Sequence, residues 1–212
     1  MFRRSSSTRR ALAATVGAFT LLAACSGSSS SKPTTTTTRA ATGAKVKATV
    51  GTVTMATSGL PGTLADADRV AVLAAMDRYI DAATITPLSG KPAKNLASQF
   101  TASAAPALTG PEQDALVDTG VPHATGAVTA KLAPVNVTAL SDQAGAIDLV
   151  GTTFDLTVNA KAKTGPITIH RTGEFMFTRD GGTWKILGFT LAVTRDGAGL
   201  GTAPTSTTGS AP

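Results

Sequence analysis

A chain of 212 residues with one cysteine, two histidines, 19 basic and 13 acidic residues is long enough for one core of moderate size and cannot form an intramolecular disulfide. Its formal charge of +6 is unevenly placed: eight basic residues and no acid precede residue 62, so residues 62–212 carry eleven basic residues against all 13 acids. That balance, with no basic run and only Tyr79 and Trp184 as polar aromatics, excludes a nucleic-acid binder, which needs a basic stripe and often stacking aromatics.

The first ten residues hold Arg3, Arg4, Arg9 and Arg10, and an apolar run from Ala11 to Leu22 follows. The run is too short to cross a bilayer, which takes about 20 residues. A basic segment, a short apolar run and then small residues make a secretory signal. Leu22-Ala23-Ala24-Cys25 resembles the lipobox of bacterial lipoproteins. The resemblance implies removal of residues 1–24, a diacylglyceryl group on the Cys25 thiol, and further acylation of the palmitate type. It places the protein on the extracytoplasmic face of the cell membrane, held there by lipid. Lipidation would also remove the liability of a free thiol in an oxidising compartment. Thr8-Arg9-Arg10-Ala11-Leu12 loosely resembles a twin-arginine export signal, but paired arginines are common in ordinary signals, and the general secretory route is favoured.

Residues 25–61 form the tether. Ser26 to Gly43 is rich in Ser and Thr and has no apolar surface to bury, so it reads as a disordered spacer. Ser29-Ser30-Ser31-Lys32 matches S-x-x-K in spelling, but nothing in such a tract would position a nucleophile. Val46 to Val50 and Val53 to Met55 have strand composition, and they are either an edge strand or the end of the tether.

A helix is predicted from Leu64 to Ala83, with Thr63 as N-cap, Asp66 and Asp68 in its first turns, and an apolar stripe of Val70, Leu73, Met76, Tyr79 and Ile80. A weaker helix is expected over Ala93 to Ala104. A short third one runs from Pro111 to Thr119, opened by Pro111, Glu112 and Asp114 and closed by Gly120. The period then becomes two. Val128, Ala130 and Leu132 alternate, and Val135 and Val137 resume on the other parity after Pro134, which reads as a bulge. Val150 to Val158 forms a long strand, with Thr153, Asp155, Thr157 and Asn159 on its polar face. Ile167, Ile169, Phe175 and Phe177 share one face of the next strand, and Thr168, His170, Thr172, Glu174 and Met176 share the other. Arg179-Asp180-Gly181-Gly182 is a hairpin, and the parity change from Trp184 and Ile186 to Leu187 and Phe189 places a bulge near Gly188. Residues 197–212 read as a disordered tail.

Helices followed by long antiparallel strands define an α+β domain over residues 62–196, with N-terminal helices packed on a curved antiparallel sheet. The element order, and the hairpin from Phe175 to Ile186 with its Trp184-Lys185-Ile186 close, resemble the NTF2-like (cystatin-related) superfamily. That resemblance implies a sheet wrapped into a cone around the first helix, and frequent pairing of two copies through the sheet.

Motif searches give no metal-ligand cluster, phosphate loop or nucleophile elbow, and no cofactor is implied. The resemblance leaves an isomerase or cyclase as one option, with a carboxylate or histidine base in the cone. Tyr79, Asp118, His123, Asp148 and Asp155 are the candidates, and none falls in a family motif. Tyr79, Asp118, His123, Phe154 and Trp184 are taken as candidate pocket-lining residues. Separately, Asp118 reads as part of the polar face of its helix, His123 as a loop residue, His170 as solvated and Trp184 as a core anchor. The expected function is a membrane-anchored, non-enzymatic binding or interaction module. Its partners would be the membrane through Cys25 and either a small apolar ligand or lipid in the cone or an envelope protein. The alternatives are the enzyme and a structural envelope protein with a filled core.

Overall fold

The computed structural model describes residues 44–57, 59–109, 113–198, 200 and 205–210. The signal, Cys25 and the tether through residue 43 lie outside the described residues, as do Pro111 and Glu112 of the third helix. Packing against the described core begins at Ala44, so residues 25–212 contain all of that core.

In chain order the elements are β1 (Val50–Thr57), α1 (Asp66–Ile80), a π-helical turn (Asp81–Ile85), α2 (Thr86–Leu88), two 3₁₀ turns (Ala97–Gln99 and Ala105–Leu108) and α3 (Gln113–Leu116). The strands β2 (Thr129–Leu132), β3 (Val135–Ser141), β4 (Ile147–Ala162), β5 (Gly165–Asp180), β6 (Thr183–Gly197) and β7 (Thr205–Ser210) follow. The fold is α+β, with one helix packed on a curved, open, mixed sheet in the order β1-β3-β4-β5-β6-β7. The short β2 shares with β3 the same edge of β4.

The sheet departs from the all-antiparallel expectation at one edge, because β1 runs parallel to β3. A parallel pair needs a long crossover, and the whole helical region between residues 57 and 129 supplies it. The 46–55 segment, left open by the sequence, therefore divides. Val50 onward is strand, and residues 44–49 run along α1, where Ala48 N–H donates to Asp77 Oδ1 at 2.7 Å. The Asn136 side chain accepts from Thr52 N at 3.1 Å and Thr52 Oγ1 at 2.8 Å beside the register shift in β1. At the other edge, Thr205–Ser210 pairs with β6. This corrects the expectation of a disordered tail across those six residues: backbone pairing needs no apolar side chains.

The first helix begins two residues later than expected. Ala65 is its N-cap without a side-chain bond, and Thr63 is exposed. Its buried face is Val72, Ala75, Met76, Tyr79 and Ile80, continued by Ala83 in the π turn, and Val70, expected in the stripe, is 63% exposed. Helical backbone continues to Leu88 through the π turn. Pro87 has no N–H to give to the carbonyl four residues before it, and Ala83 O instead accepts from Asp118 N at 2.9 Å. The helix expected over 93–104 is absent; a 3₁₀ turn at Ala97–Gln99 and a hydrogen-bonded turn from Thr101 to Ala105 stand in its place. Asn95 has a positive φ of 57°, and Phe100 is extended and bridges to Ile186, with Thr101 N–H on Ile186 O at 2.9 Å. Tertiary burial of Phe100 overrides a weak local preference.

The alternation of β4, β5 and β6 runs as expected. The register on β4 shifts by one residue between Leu132↔Leu156 and Asn136↔Thr153, which is the bulge anticipated at Pro134. A second shift, between Met176↔Gly188 and Phe177↔Ile186, leaves Leu187 unpaired. Gly181 and Gly182, with φ of 59° and 78°, make the two-residue hairpin turn. Gly173 is the tightest point: a Cβ there would lie 2.1 Å from Thr190 O, so only glycine lets β6 approach so closely.

Candidate functional site

The period of β5 turns its odd-numbered residues inward. Ile167, Ile169, Phe175 and Phe177 follow that rule, and so does Arg171, which is 0% exposed. On β6, beyond the bulge, Phe189, Leu191 and Val193 face inward and Arg195 follows them. Tyr79 descends from α1, and Asp118 arrives two residues after α3, its backbone N–H fixed on Ala83 O. The four side chains meet between helix and sheet.

Arg171 Nη2 donates to Asp118 Oδ2 at 2.7 Å, and Arg195 Nε to Asp118 Oδ1 at 2.7 Å. Arg171 Nη1 donates to Tyr79 Oη at 3.0 Å and to Ala115 O at 2.5 Å, and Tyr79 Oη donates to Leu116 O at 2.8 Å. The last carbonyls of α3 and both carboxylate oxygens thus have donors. Burial alone would raise the Asp118 pKa, but the Arg171 and Arg195 guanidinium groups hold it below its ordinary 3.8. Thr84 Oγ1 is close enough to assist, although it makes no hydrogen bond of normal geometry. Burial works against the charge on Arg171, and Asp118 and Tyr79 more than restore it, so its pKa is raised. The Tyr79 hydroxyl is pushed up to about 12, chiefly by burial and against the pull of Arg171.

This arrangement is unsuited to proton transfer. A general base must reach a substrate proton with a pKa near the operating pH. Asp118 is 1% exposed, has both oxygens engaged, and its carboxyl is held below the ordinary carboxylate value by the two guanidinium groups. Tyr79 donates to a main-chain carbonyl and holds its proton.

Of the five candidate pocket residues, the fold unites Tyr79 and Asp118 through Arg171. Asp118, read as part of the polar face of its helix, lies two residues beyond α3 and in the interior, where two arginines from the sheet neutralise it. Phe154 stacks on Phe175 at 5.1 Å, and Phe175 meets the Tyr79 ring edge-on at 4.7 Å. Trp184 is buried, and its Nε1 donates to Asp68 Oδ1 at 3.1 Å, where Arg179 also binds. These four residues are core. His123 stays apart: it is exposed and lines a shallow groove of about 260 Å³ with Pro87, Gly90, Lys91, Pro92 and Thr119. His170 and Asp155 pair at 3.0 Å on the outer sheet face, both half-exposed, and Asp148 is exposed at the start of β4. Arg171 and Arg195, which sequence reasoning missed, were marked by parity alone.

Among the described residues no group of three or more His, Cys, Asp or Glu is placed to hold a metal ion. Among them, too, no helix is long and apolar enough to cross a membrane. Comparison with protein-family models, with curated proteins and with solved structures finds no match for this chain.

Proposed function

We propose that the chain is a lipid-anchored, extracytoplasmic interaction module that works through its surface and neither catalyses a reaction nor encloses a ligand. The observation that carries this reading is the filled space between α1 and the sheet. Tyr79, Phe175, Phe177, Leu156 and Ile186 are each 0% exposed, so no water-sized void touches them. A site for an apolar ligand is a concavity of several hundred Å³, and these side chains occupy the place where an NTF2-like cone would open. The order of helix and strands, the closing hairpin and the curvature of the sheet support an NTF2-like domain with its cone packed solid. The Leu22-Ala23-Ala24-Cys25 sequence supports the anchor, and two or more acyl chains give stable attachment. The outer face of β4 and β5, with Thr153, Thr157, Thr168 and Thr172, is a broad polar surface for an envelope protein or a second copy.

Mass spectrometry of the protein extracted from its own membrane tests both parts. The denatured protein should begin at Cys25 and carry a covalent diacylglyceryl mass. The folded protein should carry no further small molecule at fixed stoichiometry. An unmodified Cys25 would overturn the anchor, and a reproducible non-covalent adduct would overturn the closed core.

A further inference from the structure

Charge is sorted along the axis of α1. Around the first turn of α1 and the β5–β6 hairpin stand Asp66, Asp68, Asp142, Asp148 and Asp180, and the basic residues there are engaged with acids: Arg69 with Asp66, Arg179 with Asp68, Lys185 with Asp180. The other end is basic. Arg78, Lys91 and Lys94 line one open groove of about 430 Å³, and Lys45 and Lys91 line the next, of about 310 Å³; Asp81 and Thr86 are common to both. Lys47 stands beside Asp77, whose pKa is raised by burial against the opposing pull of Ala48 N–H, Lys47 and Arg78. The β4–β5 turn brings Lys161 and Lys163 to the same end: Ala124 N–H bonds Leu88 O at 2.8 Å, and the next residue, Thr125, bonds Lys161 O at 2.7 Å. All seven basic side chains are exposed. Among the described residues the acids near them are Asp77, Asp81 and Asp196.

The chain joins the described fold at this end. Ala44 and Lys45 line the basic groove, and eighteen residues separate Ala44 from Cys25, a reach of at most about 65 Å. The grooves are open and hold no aromatic residue and no converging pair of arginines, so they offer neither base stacking nor a fork for a single phosphate. Scattered lysines on an open face match a surface of many like charges.

We propose that this basic end docks on the anionic lipid headgroups of the membrane, so that the domain sits on the bilayer with its acidic end outward. The identity of that membrane rests on the anchored reading above. The docking itself needs no acyl chain: the attraction is electrostatic and short-ranged in salt. An anchor would strengthen it by holding the face at high effective concentration.

The test uses residues 25–212 with Cys25→Ser, so that acylation plays no part and loss of the anchor hypothesis leaves the result unaffected. Co-sedimentation is measured with vesicles of phosphatidylglycerol and phosphatidylcholine in equal parts, and with phosphatidylcholine alone. Binding is expected on the anionic vesicles only, and it should be released by high salt. Lys91→Ala/Lys94→Ala should weaken it about 10- to 30-fold, given the usual contribution of each basic residue at such a surface. Arg69→Ala/Lys185→Ala removes one basic residue about 28 Å along the helix from Leu88 and one beside the β5–β6 hairpin, and should change it less than about twofold. Absence of binding to anionic vesicles at low salt would overturn the proposal, and so would equal binding to both vesicle types. Equal losses in the two double variants would also overturn it, by showing attraction without a preferred face.

Discussion

The buried face of β5 sets an apolar cluster and a polar cluster on either side of Gly173, with Ile167 and Ile169 apolar again beyond Arg171. Toward the hairpin, Phe175 and Phe177 meet Tyr79, Phe154 and Ile186 in an apolar cluster. Two residues before Gly173, Arg171 enters the same layer and is joined by Asp118, Tyr79 and Arg195. The apolar half is held by non-directional burial, in which a lost methylene removes a proportionate part of the stability. The polar half is held by directional partners. Removing one strands the others in a medium that penalises bare charge. One half should therefore respond in graded steps and the other almost all at once.

The sharpest way to break the comparison is Asp118→Asn. It leaves Arg171 and Arg195 facing no carboxylate and should destabilise by about 3–5 kcal/mol in urea titration. The same residue sets an acid limit. Its folded pKa lies below 3.8, so its contribution is complete above that value and is lost as the pH falls through the lower folded value. The Asp118→Asn variant should lack this part of the acid dependence. Gly173→Ala comes next. Its methyl would press on Thr190 O and Leu191, and about 1–3 kcal/mol is expected. Ile186→Val samples the apolar half and should lose about 0.5–1.5 kcal/mol without altering the acid limb. Asp155→Asn on the outer face breaks a half-exposed pair with His170 and should change stability by no more than about 1 kcal/mol.

Much of this architecture was legible from side-chain period. The strands β4, β5 and β6, the Gly181-Gly182 turn and the bulges near Pro134 and Gly188 follow from parity and turn chemistry. The helix was legible as an element and in most of its stripe: Met76, Tyr79 and Ile80 are buried as expected, while Val72 and small Ala75, rather than Val70, complete the buried face. The segment from 93 to 104 misled because the burial of Phe100 against Tyr79 and Phe189 is decided by distant residues. The polar half of the site had a local signal, since the parity of Ile167 and Ile169 also selects Arg171. What the sequence does not carry is its partner. Arginine and aspartate are almost never buried unless paired, and Asp118 lies 53 residues away, brought in through the carbonyl that Pro87 leaves open at Ala83.

The proposal that this domain works without a catalytic base rests on the state of one carboxyl group. A ¹³C NMR pH titration of the Asp118 side chain in residues 25–212 reads that state directly. A neutralised, fully bonded carboxylate predicts a midpoint below 3.8, with the Asp118 and Tyr79 signals unaffected through neutral pH. A midpoint at or above 3.8 would contradict the account, because it would mean a carboxyl group not held by its two arginines and free to exchange a proton with a ligand.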